Sequence, residues 1–131
     1  MLKQLIQKRV LETLELIPKG YRSDPTVKEI IRCVLFNIIR EEGWIPIPAY
    51  RTPRFPEGPV DIVGMDPADA SIRVAFSSNP LVELSDVRSL ERLDAERKCI
   101  VTFSNMERKV RETAFFLKPG IGHIHLYDSG S

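Results

Sequence analysis

Three short apolar runs limit what this chain can fold into: Val60-Asp61-Ile62-Val63-Gly64, Ile72-Arg73-Val74-Ala75-Phe76-Ser77 and Cys99-Ile100-Val101-Thr102-Phe103. Runs this short, this apolar and this rich in β-branched residues are strands inside a sheet. Met65-Asp66-Pro67-Ala68-Asp69 separates the first two and reads as a hairpin turn. Ser85 caps a helix carrying Val87, Leu90 and Leu93 between the second and third. A hairpin followed by a strand–helix–strand crossing demands a sheet with antiparallel and parallel neighbours, flanked by helices.

Two helices precede these strands. Leu2, Ile6, Val10, Leu14 and Ile17 recur at helical spacing, widened by Leu5 and Leu11, and Pro18 and Gly20 end the pattern. Ser23-Asp24-Pro25 opens a second helix with the stripe Val27, Ile30, Ile31, Val34, Leu35, Ile38 and Ile39, which Gly43 stops. Trp44 to Tyr50 contains Pro46 and Pro48, so it is an edge strand or an extended segment. Residues 51–59 form a proline-rich loop, and Asn79 to Leu84 a second loop. Ser104 or Asn105 caps a last helix carrying Met106, Val110, Ala114 and Leu117, and Ile121 to Tyr127 is a final strand. The order is α-α-β-β-β-α-β-α-β.

With 131 residues, 43% hydrophobic and 28% charged, the chain reads as one globular domain. A net charge of +1 excludes a global field that attracts nucleic acid, so such binding would rest on a local patch. The apolar stretches are too short to span a bilayer, and polar residues interrupt the first nine positions as no leader peptide allows. Cys33 and Cys99 lie in apolar runs and are expected to be buried free thiols, which suits a cytoplasmic protein.

Residues 24 to 103 resemble the core of the PD-(D/E)XK nuclease superfamily, in particular Mrr-like restriction nucleases and archaeal Holliday-junction resolvases. The resemblance rests on element order and on Asp61-Ile62-Val63-Gly64, which matches the family's apolar aspartate strand. Asp86-Val87-Arg88-Ser89-Leu90 also fits the Val-x-x-Leu helix that follows in the family. It implies a restriction-endonuclease-like α/β fold with a mixed central sheet. Residues 1–131 would be one domain: 1–20 an additional N-terminal helix, 24–103 the nuclease-like core, and 104–131 a C-terminal helix and strand. It also implies Mg²⁺-dependent cleavage centred on Asp61. The family's next strand reads roughly Val-Ala-Ile-Glu-Val-Lys. Here Val74-Ala75-Phe76-Ser77-Ser78-Asn79 puts Ser77 at the acid and Asn79 at the lysine.

Mg²⁺ takes carboxylate oxygens, and Ser77 adds no charge to the single acid at Asp61. Asn79 cannot give a nucleophile or a transition state the cationic support of a lysine. The expectation is a degenerate metal site without cofactor, in a non-catalytic nucleic-acid-associated or assembly module. The alternatives are an active Mg²⁺-dependent DNA endonuclease rearranged around Asp61, and a structural protein-interaction domain. A rearranged site would draw a migrated acid from Glu41, Glu42 or Glu83, with Asp61 and Glu41 as metal ligands. Otherwise Asp61 pairs with a cation, for which Arg73 is the candidate.

Tyr50, Arg51, Arg54 and Phe55 join two arginines to two aromatics, suited to gripping phosphate and stacking on DNA or RNA bases. Basic residues between Arg88 and Arg111 interleave with acids, the pattern of a salt-bridged solvent face. His123 and His125 share one face of a strand, where surface or edge histidines are expected; a zinc site would need a third ligand that the sequence does not supply. The first helix needs a partner for its stripe, either its own sheet or a second copy in a homodimer. No membrane partner is expected.

Overall fold

The computed structural model describes residues 2–53 and 56–128. Helix α1 (Leu2–Glu15) leads through a 3-10 turn at Lys19–Tyr21 into α2 (Asp24–Glu41). Then come β1 (Ile45–Tyr50), β2 (Val60–Met65), β3 (Ile72–Asn79), α3 (Leu84–Arg92), β4 (Ala95–Thr102), α4 (Glu107–Thr113), a 3-10 turn at Ala114–Phe116, and β5 (Ile121–His125). The five strands form one sheet in the order β1-β2-β3-β4-β5. β1, β2 and β3 are antiparallel neighbours, and β3, β4 and β5 are parallel. This is the mixed α/β sheet and the element order that the sequence predicts.

Local chemistry sets the helix ends. The Ser23 side chain accepts the Thr26 N–H at 3.4 Å, and proline occupies the first turn of α2. Gly43, at φ +87°, takes the left-handed conformation just past the other end. Pro46 and Pro48 confine β1 to the sheet edge, where it pairs with β2 alone.

Strand pleating divides the core into two layers. Ile62, Val74, Phe76 and Val101 point to one face and pack with Ile6, Val10, Leu14, Ile31, Leu35, Ile38 and Ile39 of α1 and α2. Val63, Ala75 and Ile100 point to the other and meet Val87 and Leu90 of α3. Full burial of a side chain such as Leu35 contributes about 1.5–3 kcal/mol.

The structure corrects several expectations. Of the two partners expected for the α1 stripe, the chain's own core takes it, with Ile6 and Val10 fully buried. Gln7 further ties α1 down by donating to the backbone carbonyls of His125 at 2.9 Å and Asp128 at 3.1 Å. Cys33 is exposed rather than buried, because it lies two residues past Ile31, about 200° around the helix. Cys99 is partly buried, and burial pushes its thiol up to about 12. α3 begins at Leu84 without a side-chain cap, so Ser85 lies inside the helix. α4 is capped at Met106, whose N–H donates to Ser104 Oγ at 3.1 Å. No helix among the described residues is long and apolar enough to cross a membrane.

Candidate functional site

The topology gathers four chain segments at one end of the sheet: the start of β2, the end of β3, the first turn of α3 and the N-terminal half of α2. Asp61 stands at this end with a side chain 14% exposed. The β2–β3 ladder runs in register as far as Ile62–Phe76. One residue beyond, the Asp61 carboxylate takes the place of a ladder acceptor: Oδ2 receives the Ser78 N–H at 2.7 Å and the Ser78 hydroxyl at 3.1 Å.

The same oxygen receives Lys28 Nζ from α2 at 2.7 Å. The Lys28 ammonium also donates to the Ser78 carbonyl. Arg32, one helical turn further along α2, brings its guanidinium to 3.8 Å from Asp61 Oδ1. Asp61 is therefore a paired, hydrogen-bonded carboxylate, as a largely buried charge must be.

Arg73 does not reach it. Five residues of extended strand separate Arg73 from Ser78, about 16 Å. Arg73 instead binds Asp66 at 2.8 Å and Glu96 at 2.7 Å, with Asp69 at 3.7 Å. Glu41 is also remote from Asp61, about 20 Å along α2 from Lys28. It forms a two-pronged pair with Arg9 of α1, at 2.6 and 2.7 Å, and that bond holds its carboxyl below the usual range. Glu42 caps the far end of α2 and lines a cavity with Trp44. Among the described residues, no three His, Cys, Asp or Glu side chains converge on a common metal position.

At the positions where the resemblance places an acid and a lysine, Ser77 and Asn79 do different things. Ser77 is fully buried, and its hydroxyl has no hydrogen-bond partner among the described residues. Asn79 donates its side-chain amide to Asp86 in the first turn of α3. Asp86 is the acid that sequence reasoning overlooked. Burial raises its carboxyl to about 6, opposed by the Asn79 hydrogen bond and by Lys28, and reinforced by the charges of Asp61 and Glu83. Glu83 is the exposed N-cap residue of α3.

A carboxyl raised in the folded state favours folding when protonated. That contribution is complete below about pH 4, the unfolded value, and is lost as pH rises through about 6. Asp86→Asn removes the dependence and keeps an acceptor for Asn79. It is expected to stabilise the fold at pH 7.5 by about 1 kcal/mol, after discounting for partial exposure. Urea denaturation at pH 4.5 and 7.5 measures this; an Asp86→Asn variant less stable than the parent at pH 7.5 would contradict it.

The nucleic-acid candidates are divided. Tyr50 is partly buried and packs against the core cluster that includes Val87 and Leu90 of α3. Arg51 is exposed, with one donor on the Glu57 carbonyl at 3.3 Å. Arg54 and Phe55 lie outside the described residues. Glu57 and Gly58, just before β2, are tied to α3, since Ser89 Oγ donates to the Gly58 carbonyl at 2.8 Å and Arg92 pairs with Glu57 at 3.3 Å.

His123 and His125 sit on edge strand β5 and both bond Thr102 Oγ1, at 2.8 and 2.9 Å. His125 is buried rather than at the surface, and burial lowers both imidazoles below their usual value.

Lys28, Arg32 and Asp86 are the functional candidates that sequence reasoning missed. The available signal was weak: Lys28 and Arg32 are four residues apart and flank the α2 stripe at Val27 and Ile31.

No family model matches the chain, and no curated protein matches it. Among solved structures, the chain is similar to a repair endonuclease from Pyrococcus abyssi, with 23% identity over 71% of this chain and 43% of that one, at a TM-score of 0.41. The similar region spans less than half the length of that endonuclease chain.

Proposed function

We propose that this is a restriction-endonuclease-like domain whose metal site has been replaced by an internal ion pair, and that it works as a nucleic-acid-associated module without cleavage. One observation carries the reading: Asp61 Oδ2 already receives Lys28 Nζ, the Ser78 N–H and the Ser78 hydroxyl. That oxygen has no capacity left for Mg²⁺ unless a donor departs, and an ion on Oδ1 would face the charges of Lys28 and of Arg32, whose guanidinium lies 3.8 Å from Oδ1. The element order and the aspartate strand support the fold side of the reading. Exposed Arg51, at the end of β1, supports the nucleic-acid side.

Fluorescence anisotropy on a labelled single strand tests binding. The chain is expected to bind at low salt, with affinity falling as salt rises. Removing both arginines, Arg51→Ala/Arg54→Ala, should flatten the log–log salt slope by about 1.4, at roughly 0.7 per phosphate contact on a single strand. Absence of binding at low salt would sink the reading. Mg²⁺-dependent cutting abolished by Asp61→Ala would replace it with the endonuclease reading.

A protein-interaction role has one observation in its favour. Phe115 is 91% exposed beside the half-exposed Phe116, an aromatic tip of a kind enriched in protein interfaces. Failure to bind DNA and RNA would favour this second reading.

A further inference from the structure

The start of α1 and the end of α2 do not close completely over the sheet. Between them lies a cavity of about 670 Å³, within the size range of sites for small molecules. Val74 and Phe76 line it from β3, Leu2 and Leu5 from α1, Ile38 from α2, and Trp44 from the segment after α2. Val74 and Phe76 are almost fully buried, whereas Leu2, Leu5 and Trp44 are only partly so.

Arg97 interrupts this apolar lining. It lies in register with Val74 and four residues before Val101, so pleating turns it to the face that α1 and α2 cover. A strand residue beneath two helices is ordinarily apolar. Arg97 is nevertheless exposed, as is Lys8 of α1 on the same cavity. Neither cation has an ion-pair partner among the described residues. Of the other charges on the lining, Arg73 and Glu96 neutralise each other at 2.7 Å. Glu42, at the end of α2, is the remaining carboxylate. The unpartnered charge on the lining is therefore predominantly positive.

We propose that this cavity binds a small molecule with an apolar body and one anionic group, the body against Trp44, Leu5 and Phe76 and the anion on Arg97 and Lys8. Apolar pockets with a few placed polar groups divide the work in this way: burial supplies affinity, and the polar groups set orientation. A carboxylate can take two parallel hydrogen bonds from a guanidinium, which makes Arg97 the stronger anchor and Lys8 a point charge beside it. The proposal stands apart from the nucleic-acid reading, because Arg51 lines no part of the cavity.

Trp44 is the chain's only tryptophan, so its emission reports occupancy of the cavity without a label. Decanoate at neutral pH is the probe. It is expected to change the Trp44 emission saturably, with one molecule bound per chain in equilibrium dialysis. Decanol carries the same chain without charge, and decyltrimethylammonium carries it with the opposite charge. Decanoate is expected to bind about tenfold more tightly than the ammonium compound. Lys8→Gln/Arg97→Gln changes two exposed side chains without ion pairs, so the fold is expected to survive. It should weaken decanoate about tenfold and leave decanol within about twofold of the parent. Unchanged decanoate affinity in that variant overturns the proposal, as does an ammonium compound that binds as well as decanoate. Absence of saturable decanoate binding to the parent overturns it too. Trp44 emission that depends on protein concentration without ligand would assign the cavity to a second copy of the chain, and would also overturn it.

Discussion

Asp61→Ala is expected to lower the unfolding free energy by about 2–3 kcal/mol, a reduced share of the 3–5 kcal/mol for breaking a fully buried pair. The discount reflects exposure, 14% for the Asp61 side chain and 27% for Lys28. Two losses combine. Lys28 is left against the Ser78 carbonyl without its counter-charge, and the Ser78 N–H loses its acceptor. Asp61→Asn keeps a neutral acceptor for that N–H, so it should cost less. Urea denaturation at pH 7 measures both. The direction is informative, because a carboxylate held ready for a metal destabilises its fold, and its removal commonly leaves stability unchanged or raised. An Asp61→Ala chain as stable as the parent would mean that the ion pair contributes nothing.

Gly64→Val should destabilise by about 3 kcal/mol, the upper end for overpacking a core. Strand preference alone predicts the opposite sign, since valine favours strands and glycine does not. Geometry decides. A Cβ on Gly64 would lie 2.9 Å from Val74 Cγ2, 3.0 Å from Ile39 Cγ2 and 3.4 Å from Trp44 Cε3. Val74 and Ile39 are almost fully buried and have little room to withdraw. Ile39→Ala should then rescue part of the loss, so the double variant falls short of the sum of the single costs. Thermal unfolding of the parent, both single variants and the double measures this, and strict additivity would show that the clash is relieved elsewhere.

The α2 stripe, the Ser23 cap, Gly43 and the prolines of β1 each act within a few residues, so the sequence reveals the elements and their order. The near-continuous apolar runs of β2 and β3 likewise disclose a sheet covered on both faces. The site was less legible, because its key contacts cross long stretches of chain. Lys28 and Asp61 are 33 residues apart. Their meeting depends on which turn of α2 lies over the start of β2, a consequence of how the stripe rotates into the core. Along the chain, Lys28 is one more charge beside an amphipathic stripe. Arg73 looked better placed because it is on the neighbouring strand, but it sits at the opposite end of β3, where Asp66, Asp69 and Glu96 take it. That Ser77 and Asn79 carry no charge was visible along the chain; the cation arriving from α2 was not.

A double-mutant cycle between Lys28→Met and Asp61→Asn, measured by urea denaturation at pH 7, tests most directly whether Asp61 is held by an ion pair. A coupling of about 1–2 kcal/mol is expected, within the range for residues in direct contact. Additive single costs, with no coupling between the two positions, would contradict it.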